Sequence, residues 1–212
     1  MSKILDKFGI YDLVAVLLSG INICIFSLLV LQLVYKIPID IELQVNKTLS
    51  FLVISYFLGL IFQEFGSLVQ KIITHKNNTL LKKALKVSDK SNTLLTETEK
   101  DGVYTYVKSK FNVENDNIVY NYCKFYIIEN YDTTRIDKDQ SLSAMSRSLF
   151  LYFVILAIIA LINIFFNPNH LNIILLSVSI ILLALFRYRW IRFTKLRYIY
   201  IFRTFYYNVV LK

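Results

Sequence analysis

Residues 49–69, LSFLVISYFLGLIFQEFGSLV, decide the fold: 21 residues carry one charge, Glu64. A helix rises about 1.5 Å per residue, so ~20 residues cross the ~30 Å hydrocarbon layer of a bilayer. Three further runs share this character. Leu13–Tyr35 has 23 residues without a charge, Leu149–Phe166 has 18 and Leu171–Phe186 has 16. The last reaches 19 residues if Asn167 caps its helix and Pro168, which has no N–H to satisfy, takes the first helical position. Backbone groups find no water in hydrocarbon, so the runs should be helices and not strands. Asp12 is expected to cap the first, with Ser19, Asn22 and Ser27 as packing residues.

The rest of the composition agrees. Hydrophobic residues make up 56% of the 212 residues and charged ones 18%, with mean hydropathy +0.51. That balance excludes a disordered chain and argues against an ordinary soluble enzyme. The first run is too long for the ~7–15-residue core of a cleaved signal, and no small-x-small site follows it. Tyr35-Lys36 reads as an interfacial anchor.

Orientation follows from the cations. Of the 24 Lys and Arg, 22 fall in the N-terminus, the central segment and the tail, leaving Lys36 and Lys47 in the two short loops. The positive-inside rule therefore places both termini and the central segment in the cytoplasm. The expected fold is all-α and polytopic: a transmembrane hairpin (1–73), a helical cytoplasmic insert (74–146), a second hairpin (147–188) and a basic aromatic tail (189–212).

Within the insert, Thr96-Glu97-Thr98-Glu99 has the form of a capping box and predicts a helix from Glu97 towards Lys110. Asp116 is expected to cap a second helix whose Ile118, Tyr122, Phe125 and Tyr126 share one face. Leu80–Lys86 reads as a short amphipathic piece, Ser91–Thr93 and Asn112–Asn117 as turns, and Asp137–Ser148 as a helical lead-in to the third span. The acid-free tail interleaves Arg187, Arg189, Arg192, Lys195, Arg197 and Arg203 with Trp190 and seven further rings. Lying along anionic headgroups is the first reading of this pattern. Stacking on single-stranded nucleic acid, or docking against the insert or a neighbouring subunit, are the alternatives.

Catalytic constellations are nearly absent. His75 and His170 fall on opposite sides of the membrane, Cys24 and Cys123 complete no zinc site, and five glycines match no phosphate-binding loop. No Arg is followed by a His at the spacing of the usual ribonuclease signature. No cofactor, metal or enzymatic activity is expected, and direct nucleic-acid binding is not needed to explain the charge.

The informative span is the second. Ser55, Gly59, Gln63, Gly66 and Gln70 recur at three- and four-residue spacing along one helical face. Small residues let helices approach and amides seek hydrogen bonds across the contact, so this face should pack against another helix, in the same chain or a second subunit. Glu64 lies beside it. An acid in a span marks an ion path, a proton relay or a paired interface, or else snorkels to the nearby boundary. Arg147, at the start of the third span, is its candidate charge partner.

Tyr11-Asp12 opening the first span, Gly59…Gln63-Glu64…Gly66 in the second, Arg147-Ser148-Leu149 opening the third and Arg197-Tyr198 in the tail carry a resemblance. In layout, most of the chain resembles small bacterial four-span membrane proteins of antiviral defence loci, such as the four-helix membrane accessory protein of type VI CRISPR systems. The resemblance implies an oligomeric protein of the cell inner membrane that disrupts the bilayer as a pore or regulates a soluble nuclease or CRISPR effector. A passive anchor or assembly subunit of another membrane complex is the rival reading, and an enzyme with a site at the cytoplasmic face the third.

Overall fold

A computed structural model describes residues 10–37, 45–75, 95–112, 115–166 and 168–212. Among them are six α-helices and no strand. We number these α1 (Ile10–Leu33), α2 (Val45–His75), α3 (Glu97–Phe111), α4 (Asp116–Asn130), α5 (Thr134–Phe166) and α6 (His170–Phe205), the last ending in a π-helical turn, Tyr206–Val210. Four, α1, α2, α5 and α6, are long and apolar enough to cross a membrane. The piece at 80–86, the turn at 91–93 and the cap at Asn167 lie outside the described residues.

The helix ends adjust several expectations. Asp12 falls within the first turn of α1 rather than ahead of it. Pro168 precedes α6, and Asn169 takes the capping place: its carbonyl accepts from Asn172 N at 3.0 Å. Asn115, not Asp116, caps α4, accepting from Asn117 N at 3.0 Å. An Asn side chain one residue earlier reaches the same orphan donors, which frees Asp116 to accept from the Tyr104 hydroxyl at 2.7 Å. Asn112 ends α3 in the left-handed region at φ 52°, as a residue just past a helix often does. The lead-in to the third span starts at Thr134 and is continuous with it.

The chain folds into two compact units. The first joins residues 1–71 to 141–190. Its core stacks Phe153 of α5 on Phe186 of α6 at 5.7 Å, with Phe26 of α1 edge-on to Phe153 at 5.2 Å and Phe62 of α2 edge-on to Tyr152 at 5.8 Å. Small and hydroxyl residues lie inside, Ser19, Ser55 and Ser179 fully buried, while Ile158, Leu161, Phe165, Ile174 and Ile181 point outward. Ser19 and Ser179 hydroxyls donate to the carbonyls of Val16 and Leu175 on their own helices, so neither is left unpaired by burial.

The second unit joins residues 72–140 to 191–212. The tail and the insert, distinct segments in the sequence, share one core here: Val103 and Val107 of α3, Val119, Cys123 and Ile127 of α4, Ile136 of α5, and Ile199, Ile201, Phe202 and Phe205 of α6. Phe205 is its hub, meeting Tyr106, Tyr122 and Tyr126 edge-on at 5.5–5.8 Å, the arrangement that ring quadrupoles favour. Gly102 sits where Tyr206 passes, so close that a Cβ there would lie 2.5 Å from the ring.

Candidate functional site

The small-residue face of α2 is occupied from within the chain. Its upper half meets α1: a Cβ on Gly59 would stand 2.1 Å from the Val16 carbonyl oxygen, and one on Gly20 would stand 1.6 Å from that of Ser55. The buried Ser55 hydroxyl donates to Cys24 Sγ at 3.3 Å. The lower half meets α5. The stem of Arg147 lies over Gly66, 3.2 Å from where a Cβ would be, and its guanidinium donates to Gln70. Gln63 is half-buried beside them. Val16, Gly20 and Cys24 were the partners not singled out, although they recur every four residues along α1.

Glu64 is turned the other way. It is exposed, in a shallow apolar groove formed with Leu60, Ile61, Phe65 and Leu68. The expected pairing with Arg147 is therefore not made; the guanidinium reaches Gln70, which shares with Gly66 the face that Glu64 leaves.

The tail departs furthest from its first reading. Trp190 is buried in the first unit against Phe150 at 5.9 Å. Arg203 points into the second unit, where Nε and NH2 donate to the Glu99 carboxylate at 2.8 and 3.3 Å. Arg197 lies over Tyr198 at 5.4 Å and donates to Gln140 at 3.4 Å. Rings that looked like an interfacial belt fill a core instead, because α3 and α4 alone have too little apolar surface to make one. Arg187, Arg189 and Arg192 remain exposed and Lys195 half-exposed.

Glu99 carries the capping box as well. Its carboxylate accepts from Thr96 N at 2.9 Å while Thr96 Oγ1 accepts from Glu99 N at 3.2 Å. Burial pushes its carboxyl up, but the Arg203 guanidinium and the Thr96 N–H outweigh this and hold it below its ordinary value. One acid thus fastens the start of α3 to the end of α6. Nothing in the sequence paired these two among many charges. Burial pushes the Cys123 thiol up to about 12, which leaves it a poor nucleophile. Among the described residues no group of His, Cys, Asp and Glu is placed to hold a metal ion.

The fourth helix presents two apolar faces, and the one at Ile118, Tyr122, Phe125 and Tyr126 is not the one buried. Val119, Tyr120, Cys123 and Ile127 face the core, Tyr122 and Tyr126 flank it, and Ile118, Phe125 and Ile128 face outward. Phe125 is 64% exposed and Ile118 49%. The buried set is turned about one residue from that face, so two of its four members, Tyr122 and Tyr126, reach only the rim of the core. No protein-family model, curated protein or solved structure matches this chain.

Proposed function

We propose that this chain is an accessory protein of the bacterial cytoplasmic membrane whose cytoplasmic helical unit holds a soluble protein partner of an antiviral defence system. Four long helices with apolar side chains outward and hydroxyls inward suit a bundle dissolved in lipid. The concentration of cations in the segments around the second unit supports the cytoplasmic orientation. The layout resemblance to four-span accessory proteins supports the defence setting.

The observation that carries the partner is the outer face of α4. Ile118, Phe125 and Ile128 form an exposed apolar stripe on a unit that already has a complete core, the kind of patch that marks a protein contact. Asn121 and Glu129 lie along it and Lys124 is the one cation at its border, where a helix lying on anionic lipid would carry several Lys and Arg. Regulation is favoured over pore formation because the α2 stripe is already spent on α1 and α5.

A photocrosslinking residue at position 118, in cells that natively express the protein, tests this. One discrete heterologous protein adduct is expected, reduced at least tenfold by Phe125→Asp, with none from the same probe at position 181. Adducts to lipid alone, or adducts insensitive to Phe125→Asp, would overturn the assignment.

A further inference from the structure

The first unit carries two outward faces of opposite charge at one level. Phe62 of α2 meets Tyr152 of α5 at 5.8 Å, and Gly66 lies under the Arg147 stem. Phe153 of α5 stacks on Phe186 of α6 at 5.7 Å, and Phe150 meets Trp190 at 5.9 Å. Along α2 and along α6 the numbering rises as that of α5 falls, so these two helices run in the same direction. The contacts bracket Glu64 between residues 152 and 147 of α5, and Arg187 between 153 and 150. At about 1.5 Å per residue, the two charges stand within one helical turn of the same level. Both side chains are exposed, and among the described residues neither has a hydrogen-bond or ion-pair partner.

We propose that the α2 face around Glu64 binds the α6 face around Arg187 of a second copy of this chain. The inference rests on the first unit lying in a bilayer. An acid turned outward from a span is costly unless it meets a cation, and a neighbouring copy in the same bilayer presents one at the right level. The side chains around the charges fall in register. Ile54, Phe57, Ile61 and Glu64 recur at spacings of three, four and three on the exposed side of α2, and Ser177, Ile180, Ala184 and Arg187 do so on α6. Seams of this period interdigitate between parallel helices. Setting Glu64 opposite Arg187 places Ile61 opposite Ala184, Phe57 opposite Ile180 and Ile54 opposite Ser177. Large side chains on one helix thus meet small ones at two of these levels, which lets the backbones approach. The contact is heterologous, one face against a different one.

Energy transfer between two labelled pools of the full chain in liposomes reads the association. The wild type should associate, and Glu64→Arg and Arg187→Glu should each weaken it by about tenfold, as expected for losing one bond between charged groups. The two reversals combined in one chain should restore it. Crosslinking in cell membranes reads the register without altering either charge. In a chain with Cys24→Ser and Cys123→Ala, Ile61→Cys together with Ala184→Cys should give crosslinked multimers, and either alone should give none. A monomeric wild type, a combined reversal no better than the single ones, or multimers from one cysteine alone would overturn the interface. Accessibility of position 166 to an impermeant reagent reports insertion separately, so a chain that inserts but does not associate refutes the contact alone.

Discussion

Gly20→Ala should unfold the contact between α1 and α2 although it adds a single methyl group. Its Cβ would fall 1.6 Å from the Ser55 carbonyl oxygen and 2.5 Å from the carbonyl carbon, both main-chain atoms that no rotamer change can move. Gly59→Ala meets the Val16 carbonyl oxygen at 2.1 Å in the same way. The helices must part, and the fully buried Ser55 then loses its bond to Cys24. Overpacking typically costs ~1–3 kcal/mol and more where the backbone is the obstacle, so each variant should lose at least ~3 kcal/mol. Gly66→Ala is the internal control. Its neighbour is the flexible stem of Arg147 at 3.2 Å, and the cost should stay within ~1 kcal/mol. Melting in detergent orders the three. A Gly20→Ala protein as stable as Gly66→Ala would mean that α1 and α2 do not approach as described.

Arg203→Met should be the most damaging single change in the second unit. The Glu99 side chain is 4% exposed and Arg203 33%, and two donors of the guanidinium grip both carboxylate oxygens. Removing one partner of a buried pair costs ~3–5 kcal/mol, because the other charge is stranded. With Arg203 a third exposed, water softens this to ~2–3 kcal/mol. Glu99→Gln keeps an acceptor for Thr96 N and should cost less, and the Arg203→Met, Glu99→Gln pair should recover part of the loss.

The same bond has a pH signature. The folded-state carboxyl titrates below its ordinary value of 4.5, so its stabilisation is fully present above that pH and is lost as the pH falls further. The stability gap between wild type and Glu99→Gln should be constant from pH 7 to about 5 and close towards pH 3. A gap unchanged at pH 3 would mean that Glu99 is not held as an ion pair.

How much of this was legible depends on how local each signal is. The long helices follow from charge-free runs, and the start of α3 follows from four consecutive residues, Thr96 to Glu99. Both are readable because their physics lies within a turn or a span. The tail was not readable in this way. Ile199, Phe202 and Phe205 recur every three residues, yet cations between them mimic a membrane-surface helix, and only the insert, some 70 residues earlier, reveals what they pack against. The α2 stripe was legible as a packing face, but its partners depended on Gly20 in α1, whose companions Val16 and Cys24 read as ordinary span residues. Glu64 and Arg147 share a depth along their helices but not a face, a distinction that helical rotation sets and spacing to the boundary does not.

We propose that four helices cross the bilayer and that the second unit lies inside the cell. Impermeant maleimide labelling in intact cells tests it most directly. Single cysteines at the exposed positions 129 and 166, in a chain with Cys24→Ser and Cys123→Ala, report the two sides. Phe166→Cys should label from outside and Glu129→Cys should label only after lysis. Labelling of Glu129→Cys in intact cells would reverse the orientation, and equal labelling of both before lysis would contradict the spanning arrangement itself.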